Sequence, residues 1–273
     1  MSFDLKSIST EATYRAPRML LVGTEKIGKT SFATGCTFKK GSSKPTNVGT
    51  NSPIVLPLAG EEGADALAVA KFPTISSYEE LVEALGALCS EEHEHKTIVL
   101  DSLSSLGPLI EKAVCSEANV TNIRKVPGFK TGEAACEIKW RTILNAFDYL
   151  RNTKNMATIV ICHTKVRKFK NPEGEDWDKY DIDCEPYIAE MLKRWADLIL
   201  FCNTKVFVKV QGEDGKFSVA KKTAKDITGG ARFLYTQQRP QHPGGGRTPY
   251  GDLPYEMDLN WAVFEKEVAK VFK

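Results

Sequence analysis

Residues 23–30 read Gly23-Thr24-Glu25-Lys26-Ile27-Gly28-Lys29-Thr30, a complete G-x-x-x-x-G-K-[ST] pattern. Glycines at these two places let the backbone curl so that successive N–H groups point into one concavity, and the positive end of a following helix strengthens its attraction for an anion. Lys29 is long enough to reach the β and γ phosphates of a nucleoside triphosphate. Thr30 offers a hydroxyl to Mg²⁺, a hard cation that prefers oxygen. The expected ligands are therefore ATP and Mg²⁺, cradled by Gly23 through Thr30 with the adjoining Ser31.

Phosphate chemistry needs further groups, and their types and places can be sought. Asp101 ends the apolar run Thr97-Ile98-Val99-Leu100 and is expected to hold the metal at the carboxyl edge of a strand, although Asp before a helix is also a common cap. A group must orient or deprotonate water. Glu61 and Glu62 follow the run Pro53 to Leu58, in a strand expected beside the nucleotide strand; either carboxylate suits the role, and Glu61 is preferred. His163 follows Ile161-Cys162 at the same kind of edge and reads as a sensor of the γ phosphate.

Lys165, Arg167, Lys168, Phe169 and Lys170 crowd four cations and an aromatic ring into six positions, the combination that tracks a phosphate backbone and stacks on bases. Arg124, Lys125, Phe129 and Lys130 form a weaker echo. Asp176, Asp178, Asp181 and Asp183 dilute the later cluster, and a merely solvated basic loop is its competing reading. His93 and His95 lie in a polar Glu-Glu-His-Glu-His-Lys run without a nearby cysteine and are assigned no role.

The elements that must position these residues follow from periodicity. Buried strands are expected at Met19–Val22, Pro53–Leu58, Thr97–Leu100, Ala157–Cys162 and Leu198–Cys202. Between them, Tyr78, Leu81, Val82, Leu85 and Leu88, then Leu103, Leu106, Leu109, Ile110, Ala113 and Val114, then Trp140, Ile143, Leu144, Phe147 and Leu150 recur at helical spacing. Strands alternating with helices predict an α/β fold with a mainly parallel central sheet flanked by helices, binding its ligand at the strands' carboxyl ends. Lys205–Val210 and Lys216–Ala220 predict a C-terminal β-hairpin around Glu213-Asp214-Gly215, a further strand is expected at Arg232–Thr236, and residues 165–183 show no period and read as a loop.

Residues 1–17 read as an irregular segment, 18–273 as one domain, and 39–52, rich in turn formers, as a mobile insertion. A net charge of +2 gives no global field toward nucleic acid or membrane. No apolar run approaches the roughly 20 residues of a membrane helix, and no signal-peptide pattern appears, so a cytoplasmic protein is expected. The seven cysteines include no C-x-x-C pair and read as reduced thiols.

The segments MLLVGTEKIGKTSFA, PIVLPLAGEEGAD, VAKFPTI, TIVLDSLSSL, IVICHTKVRKF, RWADLILF and RFLYTQQRP resemble phage-encoded ATP-binding proteins with a RecA-like core, proposed to act as single-strand annealing proteins in recombination. The resemblance spans Arg18 to about Leu259. It implies a RecA-like ATPase in which Glu61 activates water, Asp101 is the metal-holding aspartate and His163 senses the γ phosphate. It also implies that the loops flanking the fourth strand contact single-stranded DNA, and that copies assemble into an oligomer or filament. Thr236-Gln237-Gln238-Arg239-Pro240 departs from the expected Thr-x-Glu-Arg-Pro, and Pro243-Gly244-Gly245-Gly246 stands where a more basic stretch is expected.

Overall fold

Short apolar runs buried on both faces form the centre of the fold. The computed structural model describes residues 8–38, 45–47, 51–211, 221–226 and 229–272. Strand β1 (Arg18–Gly23) enters the glycine loop and the short helix α1 (Lys29–Ala33); β2 (Cys36–Phe38) and β3 (Pro45–Asn47) then pair as a small ribbon. Next come β4 (Pro53–Pro57), β5 (Ala70–Lys71), α2 (Tyr78–Ser90), β6 (Thr97–Asp101) and α3 (Leu103–Glu117). Helix α4 (Thr131–Lys154) leads to β7 (Ala157–Cys162), β8 (Thr164–Phe169), β9 (Trp177–Ile182), α5 (Pro186–Trp195) and β10 (Leu198–Thr204). The chain continues through β11 (Val206–Gln211), β12 (Lys221–Asp226), β13 (Arg232–Tyr235), β14 (Gly245–Gly246), β15 (Glu256–Asp258) and α6 (Trp261–Val271).

The central sheet runs β15-β13-β10-β1-β7-β6-β4-β5, with β14 also on β10. Every pair from β10 to β5 is parallel, and β13, β14 and β15 join antiparallel. Side chains alternate between two cores: Leu20 and Val22 face α2, α3, α4 and α5, whereas Met19 and Leu21 face α1 and α6. Burial on both faces explains why these strands read as continuous apolar runs. This is the expected α/β architecture, a mainly parallel central sheet flanked by helices. In α2 the buried stripe is Tyr78, Leu81, Leu85 and Leu88, while Val82 turns toward solvent.

Three expectations change. The second strand, β4, does not lie beside β1, because β7 and β6 insert between them. Residues 165–183 are not a loop: β8 and β9 form an antiparallel hairpin whose charged side chains pair across and along it, a pattern that hydropathy cannot register. The later hairpin pairs Val206–Gln211 with Lys221–Asp226; its expected turn and the range 216–220 lie outside the described residues. So does most of the expected mobile insertion, 39–44 and 48–50, while 45–47 form β3.

At the opposite, amino-terminal edge, Asp197 ties the sheet together. Its buried carboxylate accepts from Arg18 Nη2 at 2.9 Å and the Arg18 backbone N–H at 3.0 Å, and pairs with Arg151 and Arg247, each at 3.0 Å. Burial pushes its pKa up, but the Arg18 hydrogen bonds and the surrounding charges outweigh it and hold the group below its ordinary 3.8. Because the folded value is depressed, the stabilisation is complete above pH 3.8 and is lost as pH falls through the lower folded value. Asp197→Asn removes the carboxylate charge facing the half-buried Arg18 and Arg151, although Arg18 keeps Asp148 at 3.0 Å, and should cost about 1.5–3 kcal/mol in urea unfolding at neutral pH. A loss below about 1 kcal/mol, the scale of an exposed pair, would contradict this account.

Candidate active site

Strand order delivers four chemical groups to one edge. β1 ends in the glycine loop, β6 ends in Asp101, β7 ends next to His163, and the chain after β4 folds back to carry Glu61 across. Gly28 takes φ +104° at the start of α1, a left-handed backbone that favours glycine. Helix α1 has only five residues, about one and a half turns. Its macrodipole is correspondingly small, so anion attraction rests chiefly on the loop N–H groups and Lys29.

Lys29 is 5% exposed, and its ammonium donates to Gly23 O at 2.9 Å and Thr24 O at 2.7 Å. It also stands 3.3 Å from His163 Nδ1. Burial lowers its pKa. An ammonium only donates, so Nδ1 accepts and the imidazole proton sits on Nε2. Nε2 lies 3.2 Å from Glu61 Oε1, which completes a relay from Lys29 through His163 to Glu61. The same oxygen accepts from Ser102 Oγ at 2.5 Å and Ser105 Oγ at 3.1 Å. The His163 hydrogen bond leads the causes that hold the Glu61 carboxyl down at about 2, against the opposing effect of its partial burial.

Thr30 Oγ1 donates to Asp101 Oδ2 at 2.7 Å. Asp101 is buried, and desolvation raises its pKa. Gly63 passes over this pair so closely that a Cβ there would meet Thr30 Oγ1 at 2.8 Å and Asp101 Oδ2 at 3.5 Å. A hydroxyl and a carboxylate under a bare backbone suit Mg²⁺, which takes few protein oxygens and leaves its other positions to water and phosphate. Among the described residues no cluster of three or more His, Cys, Asp or Glu could hold a metal ion.

Of the expected residues, Lys29, Thr30, Asp101, Glu61 and His163 converge. Thr24, Glu25 and Lys26 lie along the outer loop, Ile27 packs into the α1 core, and Ser31 is half-buried behind Thr30. Glu62 is exposed, so the neighbour brought into the cluster is Glu61. The 165–170 group does not join it. Lys165 pairs with Asp183 at 2.7 Å, Lys168 with Asp176 at 3.5 Å, and Arg167 donates to Cys184 O at 2.6 Å; Phe169 stacks on Trp177 and Lys170 is exposed.

Sequence reasoning missed Ser102, Ser105 and Gly63. The two serines stand three apart across the start of α3, a spacing that sets them on one helix face and was readable in Asp-Ser-Leu-Ser-Ser-Leu. Gly63→Ala would force a methyl against the Thr30 hydroxyl. It should weaken Mg²⁺-dependent ATP binding about tenfold, equivalent to about 1.4 kcal/mol, by titration calorimetry. Unchanged affinity would remove the Thr30–Asp101 pair from the metal site.

The AAA domain family matches residues 15–248. No curated protein matches. Among solved structures, the chain is similar to one titled "Crystal structure of the RadB recombinase", at 12% identity over 78% of this chain and 89% of that chain, with a TM-score of 0.36. No described helix is long and apolar enough to cross a membrane. With most of its length matched, and with the glycine loop, Lys29 and Asp101 at one edge of the parallel sheet, the chain belongs to the AAA domain family.

Proposed function

We propose that this protein hydrolyses Mg·ATP and couples nucleotide occupancy to binding of single-stranded DNA, acting in annealing or recombination in phage DNA metabolism. The observation that supports hydrolysis best is the convergence of Lys29, Thr30, Asp101, His163 and Glu61 on one strand edge. The loop N–H groups and Lys29 bind the phosphates. Thr30 and Asp101 would hold Mg²⁺, which would supply positive charge against the phosphates. Glu61 orients the water that attacks the γ phosphate, and His163 reports that phosphate to the hairpin starting at Thr164. A carboxylate held near 2 is a weak base at neutral pH, so slow turnover is expected.

For the DNA, the loop between α3 and α4 carries the larger share. Phe129 is 90% exposed, Lys130 Nζ lies 5.6 Å from its ring, and Arg124 and Lys125 precede it. A free ring among cations suits unstacked bases and their phosphates. The cations of β8 must first give up their carboxylates. That pairing favours a second reading, a motor or loader acting on duplex DNA or on a protein partner, or a nucleotide-gated interaction module. Assembly into an oligomer or filament on the DNA completes the proposal.

ATP hydrolysis measured alone, with single strands and with duplex, using Lys29→Ala as the blank, separates these readings. Stimulation by single strands is expected, and turnover that responds only to duplex or ignores DNA would transfer the protein to the second reading. Glu61→Gln should keep ATP binding and lower hydrolysis about 10²-fold to a measurable residual rate, whereas the same loss in Glu62→Gln with Glu61→Gln active would reverse the choice between them. Replacing Arg124, Lys125 and Lys130 with Ala should weaken single-strand binding and lower the slope of log affinity against log salt by about 2, at roughly 0.7 per contact. An unaltered slope would take this loop out of the interface.

A further inference from the structure

We propose that Ser105, together with Ser102, is a positioning residue that clamps one oxygen of Glu61 so that the other oxygen alone meets the attacking water; the proposal rests on the water-orienting role of Glu61. Three donors converge on Oε1, from Ser102, Ser105 and His163. Oε2 has no hydrogen-bond partner among the described residues. The last torsion of a glutamate is broad, so an unclamped carboxylate turns its plane over a wide range. Loading all the donors on Oε1 removes that freedom and leaves Oε2 at a defined place.

The behaviour of Ser102 supports the assignment independently. It occupies the N-cap of α3, where a serine ordinarily accepts a backbone N–H, yet its side chain makes no cap hydrogen bond. Elsewhere in this chain Ser77 caps α2 by accepting from Glu80 N at 3.1 Å. The Ser102 hydroxyl is instead directed to Glu61. The platform is rigid, because Leu103, Leu106 and Ile110 of the same helix are fully buried and Asp101 fixes the helix start to β6. Two hydroxyls on one turn therefore hold a carboxylate borne by a loop that starts three strands away from β1.

Removing Ser105 has two opposed effects. It makes Glu61 more basic, and it frees the carboxylate to turn. Misorientation at the reacting atoms outweighs modest gains in basicity, since small misplacements cost up to about 10²-fold.

The test compares wild type, Ser105→Ala, Ser105→Thr, Glu61→Gln and the double variant Ser105→Ala/Glu61→Gln in the full chain, measuring kcat, KM for ATP and thermal midpoint. Ser105→Ala should lower kcat about tenfold with KM and midpoint unchanged, Ser105→Thr should restore turnover through its hydroxyl, and Ser105→Ala should cost nothing further in the Glu61→Gln background. Unchanged kcat in Ser105→Ala while Glu61→Gln is impaired would overturn the clamp alone. A further loss in the double variant would also overturn it, because the serine would then act elsewhere. Wild-type turnover by Glu61→Gln would sink the role of Glu61 and the clamp with it.

Discussion

A buried ammonium with no carboxylate in contact governs the working edge of this sheet. Lys29 is held by the dipoles of two loop carbonyls and by a ring nitrogen, and among the described residues it makes no ion pair. Carbonyl dipoles satisfy its donors but do not cancel its charge, and burial accordingly lowers its pKa. A polyanion would supply the missing charge. The same ammonium also sets the neighbouring imidazole, because a ring nitrogen that accepts from Lys29 leaves the proton on the nitrogen facing Glu61. The glycine-loop lysine and the Glu61 carboxylate are thus connected through His163.

That connection exists only because β7 runs between β1 and β6. Its carboxyl end sets His163 between the ammonium of the first strand's loop and the carboxylate returned from β4. Were β6 beside β1, Asp101 would stand close to Lys29 as a direct partner and no imidazole would separate the two charges. Instead Asp101 engages Thr30, while Gly63 passes over both atoms with no side chain to obstruct them. Parallel pairing aligns all these ends, which is why one edge gathers groups from four strands.

The hairpin that starts at His163 links the edge to the surface. Asp183 N donates to His163 O at 2.9 Å, and Ser104 Oγ donates to Asp183 O at 3.1 Å, so the base of the hairpin is fastened to both β7 and α3. Along the hairpin, cations and carboxylates satisfy one another at the surface, where such pairs contribute little stability and are screened by salt. The loop before α4 differs: its ring is bare and its cations border it.

By itself the sequence determined the phosphate loop, the five buried strands with the helices between them, the mainly parallel sheet, and Asp101 and His163 at strand ends. Those features are local: a glycine spacing fixes a turn, and burial on both faces writes an unbroken apolar run. Only the tertiary structure decided that β7 lies between β1 and β6, that Glu61 rather than Glu62 turns inward, and that Ser102 and Ser105 reach it across 41 and 44 residues of chain. Strand order in space depends on which faces find each other, and one chain leaves several orders equally apolar. The charged hairpin was hidden for a related reason, since hydropathy sees only polar residues in β8 and β9, whereas pairing across the strands and the approach of Asp183 turn those charges into partners.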